Sequence, residues 1–287
     1  MLARLGAPFD PIASRYLHPD EKTLRDAYAK VDPSHLAKAG FVVLAHLAAD
    51  TAKTCMTPDG LPEREQRRTA GREADTPGKP RRRGAFAVDG KCLRGAKRPD
   101  GSQLYVISAV RHHDALTAAA RPIPAKSNEI PAFAPLLDDI DDADMTEAVV
   151  TKDALHAQRD HAEYLVEQRH AHYLVTVKRN QPGLHAQLRD LPWREVPVVH
   201  RQHDTGHGRR ELRELQVLGV DDVLFPHANQ VLHITRRRRA PGARKWSTET
   251  VYAITDLAFH QATAAELAGW ARGHWIIEMS ESDCSYG

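Results

Sequence analysis

Apolar positions recur in a helical rhythm before residue 50 and in short strand-like runs after residue 84. Within residues 20–50, Leu24, Ala27, Tyr28 and Val31 stand near helical spacing, and Asp32-Pro33-Ser34 breaks that helix from the next. Residues 51–80 are polar and charged, with almost no large apolar side chains, the composition of a linker or arm. The character changes at Gly84. Phe86-Ala87-Val88 predicts a short strand ending at Asp89-Gly90, Gln103 to Val110 alternates as a second, and Ala115 to Ile123 forms a third. Asn128 is placed to cap a helix carrying Ile130, Phe133, Ala134 and Leu137, with Pro131 in its first turn, where a missing N–H is tolerated. Ala148 to Thr151 predicts a buried strand ending at Asp153, His156 to Arg169 a helix with Ala162, Leu165 and Val166 on one side, and His172 to Val177 the next strand.

Strand signals dominate residues 194–255, at Leu215–Leu218, Gln230–Thr235 and Thr250–Thr255. Thr263-Ala-Ala-Glu266 is a capping-box signature that opens a final helix. Three strands, a helix, then alternating strands and helices predict an α/β mixed sheet flanked by helices, with a β-rich insertion before the last helix.

Composition narrows the setting. The 287 residues are 41% apolar, enough to bury a core, and no stretch approaches the roughly 18 apolar residues of a membrane span. Met1 to Asp10 lacks the basic-then-apolar signature of a secretory leader, and the three cysteines (Cys55, Cys92, Cys284) form no CxxC pair. A cytoplasmic protein without a membrane partner is expected. The net charge of +2 is uninformative, but basic residues bunch at Arg67–Arg68, Arg81–Arg83 and Arg236–Arg239, while acids bunch at Asp138–Asp144. Each arginine run reads equally as a phosphate-tracking patch or as a solvated loop. The acidic bunch lacks the glycine and closing glutamate of a calcium loop and reads as a solvated turn.

Asp89 and Asp153 both follow short apolar strands, where open α/β sheets gather their ligands. Glu278 shares a helix face with His274, Ala271 and Leu267, at steps of four, three and four. Converging carboxylates repel by about 4 kcal/mol per pair at ~4 Å and an effective dielectric of 20. Hard divalent cations remove that cost and support phosphodiester displacement. Spacing alone leaves open the alternative that these are strand-end and capping acids. Lys178, Arg179, Asn180 and Gln181 form a polar-basic loop at a strand end that could hold a phosphate, or merely a surface turn. His203 and His207 flank a turn-like Asp204-Thr-Gly206 rather than a zinc helix, and His207 with Arg209 fits a DNA approach better. No nucleophile elbow, GxGxxG or Walker sequence occurs.

Six blocks in order carry a resemblance: Ala87-Val-Asp-Gly-Lys-Cys-Leu-Arg-Gly95, Lys126-Ser-Asn-Glu-Ile130, Val150-Thr-Lys-Asp-Ala-Leu-His-Ala-Gln158, Tyr173-Leu-Val-Thr-Val-Lys-Arg-Asn-Gln-Pro182, His207-Gly-Arg209 with Glu211 and Arg213, and Arg272-Gly-His-Trp-Ile-Ile-Glu278. Together they resemble the H-repeat-associated (ISAs-type) insertion-sequence DDE transposases. The resemblance implies a ribonuclease-H-like core, two Mg²⁺ ions (Mn²⁺ substituting) on Asp89, Asp153 and Glu278, and nicking and strand transfer on transposon ends and target DNA. It also implies a homo-oligomer when active. Basic and polar residues of these blocks, namely Lys91, Arg94, Lys126, Lys178, Arg179, Asn180, Gln181, His207, Arg209 and Arg272, are then expected along DNA.

The corresponding organisation is a helical N-terminal remnant at 1–50, a linker at 51–83, core at 84–189, the β-rich insertion at 190–250 and the rest of the core at 251–287. Two departures count against full activity: the N-terminal region is shorter and less typical, with only residues 20–50 resembling the family's helical accessory region, and the C-terminal match breaks off. The family's asparagine after the glutamate is Met279 here, and the residues beyond it do not continue the pattern. A C-terminally truncated, catalytically crippled enzyme is therefore expected. The alternatives are a non-catalytic DNA-binding remnant of a mobile element and, less favoured, a host nuclease on the same fold.

Overall fold

A computed structural model describes residues 9–10, 15–16, 83–97, 101–124, 129–153, 157–206, 209–221, 223, 225–239, 242–243 and 245–274, of which 9–10, 15–16, 93–97, 206 and 209 are described by backbone alone. Phe9–Asp10 (β1) and Arg15–Tyr16 (β2) pair antiparallel. The remaining strands are β3 (Ala85–Lys97), β4 (Gln103–Arg111), β5 (Thr117–Ile123), β6 (Val149–Lys152), β7 (His172–Val177), β8 (Val198–Gly206), β9 (Arg209–Gly219), β10 (Gln230–Arg239) and β11 (Ser247–Thr255). They build one sheet in the order β5-β4-β3-β6-β7-β11-β10-β9-β8. β3, β4 and β5 form an antiparallel meander, β6 lies parallel to both β3 and β7, and β8 to β11 extend the sheet antiparallel beyond β7.

The helices are α1 (Glu129–Asp138), α2 (Asp142–Met145), α3 (Arg159–Glu163, continued by a π turn at Tyr164–Gln168), α4 (Pro182–Arg189) and α5 (Ala264–Gly273). They cover both faces of the sheet, so the mixed α/β architecture is as expected.

β6 shows how the layers assemble. A strand between two parallel neighbours is covered on both faces and reads as a continuous apolar run rather than an alternation. Val149, Val150, Thr151 and Lys152 are all buried. Val150 packs with Phe86, Val88, Tyr173 and Val175 beneath Phe133, Leu136 and Leu137 of α1. Val149 faces the other way, into a cluster with Leu174, Leu232 and Ala253 under Leu267 of α5. Ile130, which its spacing places on the inner face of α1, is instead 37% exposed, because Leu136 joins Phe133 and Leu137 to fill that face.

Two further expectations are corrected by the strands. β3 does not stop at Asp89-Gly90; it runs on to Lys97 because β4 continues to pair with it, with Cys92 opposite Tyr105 and Leu93 opposite Leu104. Asp204-Thr-Gly206 is not a turn but the end of β8, paired with Arg209 to Glu211 of β9. The acidic bunch after α1 is not simply solvated. Asp138 and Asp142 hold the buried Arg169 at 3.0 and 3.1 Å, and Asp139 grips Arg121 at 2.6 and 2.8 Å.

The capping box forms as expected. The Glu266 N–H donates to Thr263 Oγ1 at 3.3 Å, and the Thr263 N–H donates to Glu266 Oε2 at 2.9 Å. Thr263→Ala is expected to cost about 1 kcal/mol, seen as a melting temperature lower by roughly 2–4 °C. An unchanged melting temperature would mean that the cap does not limit the stability of α5.

Candidate active site

The parallel pairing of β3 with β6 ends at Val88 opposite Lys152. Asp89 and Asp153 are the next residue on each strand, two beyond the paired Ala87 and Thr151, so both leave the sheet on one face. The two carboxylates thus come from chain segments brought side by side only by the sheet. Burial pushes the Asp89 carboxyl up to about 6. The Lys91 ammonium and a 2.9 Å hydrogen bond donated by the Gly90 N–H to Oδ1 pull it down, while the charges of Glu129 and Asp153 push it further up. Asp153 Oδ1 lies 2.8 Å from Lys178 Nζ.

Glu129, the first residue of α1, bears on the site through its charge, and residue patterns do not single it out, although it lies within one of the six blocks. It is 2% exposed, and a Cβ at Gly90 would stand only 2.2 Å from its Cδ. The absence of a side chain at Gly90 leaves room for this carboxylate on the α1 face of β3, from which its charge acts on Asp89 across the strand. The signal that could have found it is the glycine directly after Asp89, which a strand interior otherwise disfavours.

On the same face as Asp89 and Asp153, α5 is stitched to β6. Thr151 Oγ1 lies 2.9 Å from His112 Nε2 and 3.2 Å from His274 Nδ1. Burial, and the neighbouring His274 and His113, push His112 down to about 4, so it is a neutral ring at physiological pH. That ring packs against Gly273, where a Cβ would stand 2.1 Å from Nδ1. Leu267 is buried, Ala271 packs on the same cluster, and His274 reaches Thr151, so these three share an inward face as expected. Glu278, also expected there, lies outside the described residues, as do Lys126 and His207.

Lys178, Arg179 and Asn180 are exposed on the loop after β7, with Gln181 half-buried and its Nε2 donating to Ala157 O at 2.7 Å. Lys91 is half-buried beside Asp89, whereas Arg94 and Arg209 are described by backbone alone. Arg272 is half-exposed on α5 and lies 3.6 Å from Asp204.

The arginine run on β10 is not an open comb of positive charge. Arg236 is bound twice by Glu211 at 2.7 and 2.9 Å, Arg237 lies 3.6 Å from Glu214, Arg238 lies 2.8 Å from Glu249, and Arg239 stacks over Trp246. The strand's period of two sends alternate arginines to opposite faces, where neighbouring strands supply acids.

The family model of the Transposase DDE domain matches residues 80–284, well over half of the chain. This chain belongs to the DDE transposase domain family. Among curated proteins, none matches it. The matched span of the transposase domain includes Asp89, Asp153 and Glu278. Among the described residues, no three His, Cys, Asp or Glu side chains are gathered closely enough to form a metal cage. The donors at this edge, the carboxylates of the partly desolvated Asp89 and of Asp153, are the chemistry that a hard divalent cation prefers. No helix among the described residues is long and apolar enough to cross a membrane.

Proposed function

We propose that this domain is the catalytic part of an insertion-sequence transposase, nicking DNA at transposon ends and joining the freed 3′-hydroxyl to target DNA. The observation that supports it most is the placement of Asp89 and Asp153 side by side beyond the parallel pairing of β3 and β6. The meander β3-β4-β5 followed by parallel β6 and β7 supports a ribonuclease-H-like core over 84–189 and 251–287. Residues 190–250 are then a β-rich insertion, with an accessory region at 1–50 that includes the paired strands β1 and β2, and a linker at 51–83. The Asp89 and Asp153 carboxylates, with Glu278 as third donor, would hold the cations, Mg²⁺ or Mn²⁺. When bound, two such ions activate the attacking oxygen and stabilise the leaving one.

The protein's own groups set up that chemistry. Asp89 is desolvated and crowded by Glu129 and Asp153, so it gains from any cation that approaches. Lys91 and Lys178 supply positive charge at the same edge of the sheet, and Arg179 and Asn180 extend it toward a DNA backbone. Arg272 stands half-exposed on α5 to meet a phosphate. A DNA-bound homo-oligomer in the cytoplasm fits this reading.

The test is nicking of a supercoiled plasmid carrying the element's ends. Mg²⁺-dependent nicking that chelator abolishes, and that Asp153→Asn lowers by at least about 10³-fold, is the expected result. DNA binding without any nicking would replace this reading with that of a non-catalytic remnant, and nicking without end preference would replace it with a host nuclease.

A further inference from the structure

We infer that Lys178 is an exchangeable counter-cation: it occupies Asp153 in the metal-free chain and passes to a DNA phosphate when a divalent cation takes that carboxylate. The inference rests on the proposed carboxylate site and adds a partner exchange to it.

The geometry is specific. β6 and β7 are parallel neighbours, and Asp153 and Lys178 lie just past their ends, so the 2.8 Å ion pair bridges the loops on which metal and DNA would converge. The backbone at Lys178 is held, because the Gln181 N–H donates to Lys178 O at 3.1 Å and the Gln181 side chain is tied to Ala157 O at 2.7 Å. The ammonium itself has room to swing, since the Lys178 side chain is 57% exposed and that of Asp153 is 42% exposed.

Energetics favour exchange. A solvent-exposed pair of this kind contributes little, and a divalent ion held by several carboxylates easily outweighs it. Lysine suits the part, being a compact point charge on a flexible stem with three donors. Two other ion pairs of the sheet are built differently. Arg236 with Glu211 and Arg121 with Asp139 are bidentate, which fixes both partners. Lys178 instead brings a compact ammonium to Asp153, at the position where a cation is needed.

The experiment uses the full chain, Mn²⁺ titration by calorimetry, and a fluorescent duplex followed by anisotropy with and without Mn²⁺. Lys178→Met is expected to bind Mn²⁺ about three- to five-fold more tightly, the size of an exposed ion pair. Its DNA affinity should stay within about two-fold of the parent in chelator, yet fall several-fold in Mn²⁺. The salt-dependence slope should drop by about 0.9 only when Mn²⁺ is present, as expected if Lys178 neutralises one phosphate after the exchange. Equal losses of DNA affinity with and without Mn²⁺ would mark a fixed phosphate contact and overturn the inference. Unchanged Mn²⁺ affinity in Lys178→Met would overturn it too. Asp153→Asn separates the two levels. If it binds Mn²⁺ like the parent, the carboxylate-site reading itself fails; if it weakens Mn²⁺ binding while Lys178→Met does not alter it, the exchange alone fails. Thermal unfolding of each variant checks the fold, which exposed Lys178 does not support.

Discussion

Asp89→Asn is expected to lower Mg²⁺-dependent nicking by at least about 10³-fold, roughly 4 kcal/mol of barrier, while making the metal-free fold more stable at neutral pH. The two effects have one origin. Burial and the neighbouring Glu129 and Asp153 disfavour the Asp89 carboxylate, lifting it from 3.8 to about 6. Because the folded value lies above the unfolded one, the native state holds the proton longer, and stability falls as pH rises from about 4 to about 6. A shift of that size corresponds to at most about 3 kcal/mol, and solvent screening at this half-buried site brings it nearer 1–2 kcal/mol. Asparagine keeps the shape and removes the charge, so denaturation in chelator should show a variant that gains stability and loses that pH slope. A variant that is destabilised at pH 7, or that still nicks at the parental rate, would remove Asp89 from the site. The pattern is that of a site whose charges are strained until a cation arrives.

The second large effect is expected at Lys152, one residue before Asp153 but on the opposite face of β6. It is 1% exposed, its Nζ sits 4.7 Å over the Phe133 ring, and it has no hydrogen-bond partner among the described residues. Burial pushes its ammonium from 10.5 down to about 7, with the charge of Asp256 resisting. Here the folded value lies below the unfolded one, so the native state sheds its proton first, and stability rises with pH between about 7 and 10.5. Lys152→Met keeps the length and fills the same apolar space, and should stabilise the fold by about 2–4 kcal/mol at pH 7. Chemical denaturation at pH 7 and pH 9 decides the matter. The parent should gain stability between the two, and the variant should start higher and stay flat over that range. A methionine variant no more stable than the parent would mean that Lys152 keeps its charge solvated or paired.

The sequence carried those features that arise within one element. Helical spacing and the Thr263–Glu266 box located α5, the alternation of Gln103 to Val110 located β4, and the run from Ala148 to Thr151 announced a strand covered on both faces. These are short-range effects, in which backbone geometry and the burial of one face depend on neighbours a few residues away. Asp89 and Asp153 stand out as candidates because flanking words mark them locally, although β3 runs on past Asp89.

What residue patterns could not decide is which groups meet across the sheet. The extension of β3 to Lys97 depends on β4 pairing beyond Asp89. The arginines of β10 look like a basic patch in one dimension, but β9 and β11 bring Glu211, Glu214 and Glu249 to them. The charge of Glu129 acts on Asp89 only because α1 packs over Gly90, and Thr151 joins His112 to His274 only because the β4–β5 turn and α5 close on the same strand. Such meetings depend on register and layer packing, which sum many weak long-range preferences, so no single residue announces them. Local pattern therefore set the elements and the candidate carboxylates, while cross-strand pairing and helix docking set which charges are compensated, which are desolvated, and where Lys178 meets Asp153.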